Sequence, residues 1–135
     1  MNIIVARCGF RCDLCPAFVK NSRTAAERRT GSAAWLKYFG LKVKPESMRC
    51  NGCLGEDCAD YTFPEKKCAV RRCVIERKLE NCSQCAEYPC ATIEKRMRGV
   101  EKVIRRFQNK IPVREFDRFI APYDARTTLS RLAHR

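Results

Sequence analysis

Asn81-Cys82-Ser83-Gln84-Cys85-Ala86-Glu87-Tyr88-Pro89-Cys90 holds three thiols within nine positions, in the spacing C-x2-C-x4-C. The same spacing occurs upstream at Cys50, Cys53 and Cys58, and a variant, C-x3-C-x2-C, opens the chain at Cys8, Cys12 and Cys15. Cys68 and Cys73 lie between the last two groups, which makes 11 cysteines in 135 residues. At that density a scaffold is held by covalent or coordinate bonds as much as by its core. Residues 50–90 carry most of these cysteines and few consecutive apolar residues, so hydrophobic burial alone cannot order them. A structural thiolate metal site, with about 10 to 16 kcal/mol of apparent binding free energy, would supply what is missing. The expected fold is therefore mostly α, a small metal-stabilised domain in which cysteine-rich loops join amphipathic helices.

Disulfides are the competing use of so many cysteines. The stretch Met1 to Arg7 is too short for a secretory leader and lacks a small-residue cleavage site, so a reducing cytoplasm is the expected setting. In that compartment Cys-x-x-Cys pairs bind metal or do redox chemistry more often than they form structural disulfides, and an odd number of cysteines fits full pairing poorly. No apolar run approaches the roughly 20 residues of a membrane span, so no membrane association is expected. The length suits one domain, 1–135, with a cysteine-rich metal-binding region at 8–90 and a basic helical region at 91–135.

Helices are expected around the cysteine loops. Pro16 suits the first turn of a short helix to Lys20. Thr24 and Glu27 form the pattern of a capping box ahead of a helix from Ala25 to Phe39, with Ala26, Ala33, Leu36 and Phe39 near one face, Trp35 beside them, and Gly31 weakening the middle. Gly40 to Arg49 is a connector. Cys68 to Glu80 reads as a short helix on which residues five apart point about 140° away from each other, so Cys68 and Cys73 would serve different centres. From Thr92, Ile93, Met97, Val100, Ile104 and Phe107 repeat by four and three as the apolar stripe of an amphipathic helix. Pro112 to Ile120 follows, with Val113, Phe116, Phe119 and Ile120 inward. Pro122 ends that helix, and Asp124 caps a last helix from Ala125.

The candidate metal ligands are Cys8, Cys12, Cys15, Cys50, Cys53, Cys68, Cys73, Cys82, Cys85 and Cys90. Each triplet can converge on one centre but leaves it one ligand short of four. Either Cys68 and Cys73 complete two of three centres and the third keeps an open position, or two complete four-cysteine sites leave three bystanders. All-sulfur sites suit zinc and iron-sulfur clusters alike. The short pairs at 50–53 and 82–85 have zinc-knuckle spacing, and zinc is the expected cofactor, with a 4Fe-4S cluster as the alternative. The spacing at Cys8, Cys12 and Cys15 resembles the cluster motif of S-adenosylmethionine radical enzymes. Those enzymes need a far larger barrel, and Leu14 stands where their aromatic residue would.

Cys8-Gly9, Cys12, Cys15-Pro16-Ala17-Phe18, Cys50-Asn51-Gly52-Cys53, Val70-Arg71-Arg72-Cys73 and the stretch Asn81 to Cys90 together resemble the signature of domain of unknown function family 3795. The resemblance implies a small cysteine-rich protein of the bacterial and archaeal kind whose cysteines bind metal, and it implies no reaction. One departure is Glu65, at the place where a Cys-x-x-Cys pair ending at Cys68 would begin. Cys58 stands earlier and is left out of the ligand set.

The formal charge of +13 falls to about +9 if two four-thiolate sites of about −2 each are formed. Arg71-Arg72, Arg105-Arg106 and the arginines at 114, 118, 126, 131 and 135 could meet phosphates, yet no aromatic-interleaved or recognition-helix motif accompanies them. Trp35, Tyr38 and Phe39 read as core, and Tyr88 as packing over a metal site. No Ser-His-Asp set, phosphate-cradling glycine loop or carboxylate pair is present, and no catalytic residue is named. The expected role is a binding or adaptor module for an unknown protein partner. The alternatives are an iron-sulfur electron carrier or cluster accessory, and a weak nucleic-acid-binding module.

Overall fold

A computed structural model describes residues 2–52, 54, 68–107 and 110–133. Among these residues the chain is mostly helical, with isolated bridges at Val5–Arg11 and Phe18–Cys50 and no strand.

Helix α1 spans Ala25–Phe39. Its start is the capping box read from the sequence: Glu27 N–H donates to Thr24 Oγ1 at 3.1 Å, and Thr24 N–H donates to Glu27 Oε1 at 2.9 Å. Gly40, at φ 67°, ends it in the left-handed conformation, with its N–H on Leu36 O. The buried face differs from the expected one. Gly31, Ala34, Trp35 and Tyr38 face inward, spaced by three, one and three, whereas Ala26, Ala33 and Leu36 are exposed and Phe39 is half-buried. Gly31 explains the rotation. A Cβ there would lie 3.0 Å from Met48 Cε and 3.2 Å from Pro16 Cβ, so the missing side chain lets the helix approach the Cys15–Pro16 loop.

Pro16 does not open a helix. Residues 16–18 form a turn, and a single 3-10 turn follows at Val19–Asn21. Helix α2 is shorter than expected, Ala69–Glu76, with Cys68 as its N-cap. Arg7 explains part of the stop, because its guanidinium donates to the carbonyls of Leu79 and Glu80 at 3.1 and 3.0 Å and holds that segment in another direction. Helix α3, Ala91–Arg106, buries Ile93, Met97, Val100 and Val103. Val103 takes the place expected of Ile104, which is half-buried.

The segment after Pro112 is a correction in detail. A helical turn α4, Val113–Glu115, widens into a π-type turn at Phe116–Ile120 and then a 3-10 turn at Ala121–Tyr123 that includes Pro122. Phe119 and Ile120 are buried, but Val113 is 74% exposed. The last helix, α5, spans Ala125–Ala133 and is capped by Asp124, whose Oδ1 accepts from Thr127 N–H at 3.2 Å.

Three apolar clusters result. The first joins Ala6, Cys8 and Cys12 of the N-terminal loop to Val70, Val74, Cys82, Ile93, Met97, Ala125 and Leu129. The second, Ala34, Tyr38, Val100, Val103, Phe119 and Ile120, contains no cysteine among the described residues. The third gathers Ala17, Trp35, Met48 and Tyr123, with Cys15 and Cys50 packed against it. The cysteine loops are thus built into two of the three clusters, and α5 lies against the loops at both 8–12 and 82–84.

Candidate metal centre

Two cysteine loops far apart in sequence take the same backbone form. Cys12–Leu14 and Cys82–Gln84 are each one 3-10 turn that begins on a buried cysteine. In each, the N–H of the second cysteine returns to the carbonyl of the first, Cys15 to Cys12 at 3.2 Å and Cys85 to Cys82 at 3.1 Å. The amide of an aromatic residue then closes the next turn, Phe18 onto Cys15 O at 3.0 Å and Tyr88 onto Cys85 O at 3.1 Å. The C-x2-C spacing suits this shape, because a single 3-10 turn spans the interval from the first cysteine to the second. In the first loop, Asp13 accepts a bidentate ion pair from Arg11, at 2.8 and 2.7 Å, and the N–H of Ile4 at 3.1 Å. These partners hold its carboxyl below the usual carboxylate range. In the second loop, Asn81 Oδ1 accepts from Ser83 N–H at 2.9 Å.

The first group of sulfurs surrounds a cavity of about 340 Å³. Cys8, Cys12, Cys15, Cys50 and Cys68 line it, against aromatic walls that include Trp35 and Tyr123. Several polar groups surround the Cys15 sulfur. Tyr123 Oη is 3.0 Å from its sulfur, and Tyr123 in turn accepts the indole N–H of Trp35 at 2.9 Å. Burial pushes the Cys15 thiol up, opposed by the Tyr123 hydroxyl and by the amides of Ala17 and Phe18. Burial, then the charge of Cys15, pushes the Tyr123 phenol well above its ordinary value. At Cys50, the N–H of Gly52 donates to the sulfur at 3.3 Å, a geometry reached at the glycine's φ of 88°.

The second group is Cys68, Cys73, Cys82, Cys85 and Cys90. Cys82 is the buried member, and its thiol is pushed up to about 11 by burial first and then by the charges of Cys90, Cys73, Cys85 and Cys68. Both Cys68 and Cys73 therefore act on one thiol, although α2 separates them by more than a turn. Cys68 and Cys90 are the N-cap residues of α2 and α3, ends at which outward-facing amides favour an anion. Two guanidiniums reach these sulfurs, Arg96 on Cys68 Sγ at 2.8 Å and Arg77 on Cys85 Sγ at 3.5 Å.

No disulfide joins any two of the nine described cysteines. The donor chemistry fits a thiophilic cation, since thiols that oppose one another's ionisation need positive charge among them before they can ionise together. Among the described residues, no three His, Cys, Asp or Glu side chains are gathered closely enough to hold a metal ion between them. Cys53 and Cys58 lie outside the described residues.

Tyr123 and Arg96 are the contacts that sequence reading missed. They sit 108 and 28 residues from the sulfurs they touch, and nothing in the local pattern marks either. Trp35, Tyr38 and Phe39 are core as expected, and Tyr88 packs on the first cluster with its hydroxyl 3.1 Å from Ser130 Oγ. Several basic side chains are tied within the fold. Arg126 forms bidentate contacts with both Glu94 and Glu101, at 2.7 to 3.2 Å, and Arg106 donates to the Tyr38 carbonyl. No described helix is long and apolar enough to cross a membrane.

No curated protein and no solved structure matches the chain at a significant level. One family does: that described as "Protein of unknown function (DUF3795)" matches residues 4–95, from the start of the Cys8–Cys15 loop through Cys90 into the first turns of α3, and the chain belongs to it.

Proposed function

We propose that this is a cytoplasmic metal-thiolate protein with two all-cysteine centres, acting as a binding or adaptor module. One centre is built on Cys8, Cys12, Cys15 and Cys50, to which the C-x2-C spacing alone assigns Cys53, and the other on Cys68, Cys73, Cys82, Cys85 and Cys90. The observation that supports this reading is the buried Cys82, whose thiol is pushed up by burial and by the nearby charges of Cys90, Cys73, Cys85 and Cys68, although among the described residues no three His, Cys, Asp or Glu side chains are close enough to hold an ion between them. Ionised thiols near Cys82 oppose its ionisation, and a divalent ion drawn in among them would remove that cost. Zinc is the metal that all-sulfur, short-pair sites most simply suit.

A second reading, an iron-sulfur electron carrier or cluster accessory, draws on the first group. A zinc ion bonds sulfur at about 2.3 Å, which closes a site tightly, whereas a cavity of about 340 Å³ lined by Cys8, Cys12, Cys15 and Cys50, together with Cys68 of the second group, has room for a larger inorganic group. Anaerobic purification followed by elemental analysis and an absorption spectrum separates the two. About two zinc per colourless chain is expected. Iron with sulfide and a broad brown absorbance would replace zinc by a cluster, and neither metal at stoichiometric level would sink both.

Nucleic-acid binding stands third. Residues 93–135 contain 12 of the 28 basic residues, and several are already engaged. Weak, sequence-independent binding is expected, lost by tenfold or more between about 50 and 200 mM salt because it depends on counterion release. A filter-binding titration that finds tight, sequence-discriminating binding at physiological salt would make the protein a nucleic-acid reader instead.

A further inference from the structure

We propose that Tyr123 is a positioning residue of the first centre, which directs its hydroxyl hydrogen onto the Cys15 sulfur and holds that sulfur as an acceptor facing the cavity. The proposal rests on the reading that Cys15 is a metal ligand.

Indole N–H is a donor only. Trp35 Nε1 stands 2.9 Å from Tyr123 Oη, so one lone pair of the phenol oxygen is taken. Cys15 Sγ stands 3.0 Å away, and in that pair either atom could donate; a sulfur that ligates a metal carries no hydrogen, so in the metal-bound state the phenol is the donor. The ring cannot swing away, because it is 9% exposed and meets Phe10, Trp35 and Phe39 edge-on, with centroids 5.2, 6.2 and 5.4 Å apart. The amides of Ala17 and Phe18 approach the same sulfur from its own loop. With the phenol donating, Cys15 receives hydrogens from two sides, which suits a sulfur that acts as an acceptor and ligates a metal. Partners of this kind orient a ligand and tune its basicity, and their loss commonly weakens metal affinity 10- to 100-fold.

Tyr123 belongs to the Ala121–Tyr123 turn, beyond the family match at 4–95. The C-terminal region therefore takes part in the sulfur site as well as enclosing it.

The test loads the full-length protein with Co2+ and follows the sulfur-to-cobalt charge-transfer band. Tyr123→Phe keeps the ring and removes only the hydroxyl, so circular dichroism should match the native chain. An acceptor sulfur that loses its hydrogen bond holds its electrons less tightly, so the band should move to longer wavelength and Co2+ affinity should fall 10- to 100-fold. Trp35→Phe, which frees the phenol to turn elsewhere, should move the band the same way by less, and it keeps the proposal testable if Tyr123→Phe folds poorly. An unchanged band and affinity in both variants would overturn the proposal. If the native chain takes up no Co2+, or Cys15→Ser leaves the spectrum unaltered, the metal reading of Cys15 fails first and the role of Tyr123 falls with it.

Discussion

Stripping metal from the protein, by a strong chelator or by acid, is expected to release the loops at 8–15 and 82–90 while the cysteine-free cluster survives. Each loop is a single 3-10 turn held by a few short-range hydrogen bonds, among them that from its second cysteine to its first. A turn of that length does not sustain itself, because the cost of fixing its backbone exceeds what a few such bonds return. Without a cation, Cys82 also keeps four neighbouring thiols that oppose its ionisation. Loss of about 10 to 16 kcal/mol of apparent metal binding free energy would fall on these loops first. The second cluster is different in kind. Tyr38 and Ile120, at 1% and 0% exposure, lock α1 and α3 onto the Phe116–Ile120 turn through apolar contact, each burial contributing roughly 1.5 to 3 kcal/mol. The Tyr38 hydroxyl also donates to Glu115 at 2.8 Å and Arg106 donates to the Tyr38 carbonyl, and no sulfur among the described residues takes part. Amide exchange followed by mass spectrometry should therefore show protection lost at 8–15 and 82–90 and retained in α1 and the second half of α3. Undiminished protection of both loops after complete metal removal would show that apolar packing alone holds them.

What could be read from the chain alone, and what could not, divides along the range of the interactions. The capping box at Thr24 and Glu27 and the stripe of α3 are local patterns, and both were legible because each depends on residues three or four apart. The face of α1 was misread because Ala33 and Leu36 carry an apolar signal that tertiary packing overrides, and because Gly31 counts as a weakness in a helix taken alone. Its value emerges only when Met48 and Pro16 arrive against it. Val113 failed for the same reason: the widened turn at Phe116–Ile120 shifts the periodicity that would have buried it. At the sulfur site, the cysteines announce themselves by number and spacing. Their supporting residues do not, since Tyr123 and Arg96 are an ordinary aromatic and an ordinary base until the fold brings them to Cys15 and Cys68.

Gly9→Ala should be among the most damaging single substitutions outside the cysteines. Gly9 has φ 92°, and a Cβ built there would stand 2.5 Å from Leu129 Cγ and 2.8 Å from its Cδ1. Leu129 cannot yield by rotating, because it and Ala125 are fully buried on the same face of α5. Two costs combine: about 1 to 2 kcal/mol for an L-residue in left-handed backbone, and about 1 to 3 kcal/mol for forcing atoms into a filled core. Gly40→Ala isolates the first, since Gly40 has φ 67° but nothing within 4 Å of the added carbon. In thermal melts of the metal-loaded protein, Gly9→Ala should lower Tm by roughly 10 °C or more, about twice the effect of Gly40→Ala. Because the clash is with one side chain, adding Leu129→Ala to Gly9→Ala should cost less than the sum of the two alone. A Gly9→Ala chain that melts no earlier than Gly40→Ala would mean that α5 does not press on the Cys8–Cys12 loop. The C-terminal helix would then be a neighbour of the cysteine site rather than part of what holds it.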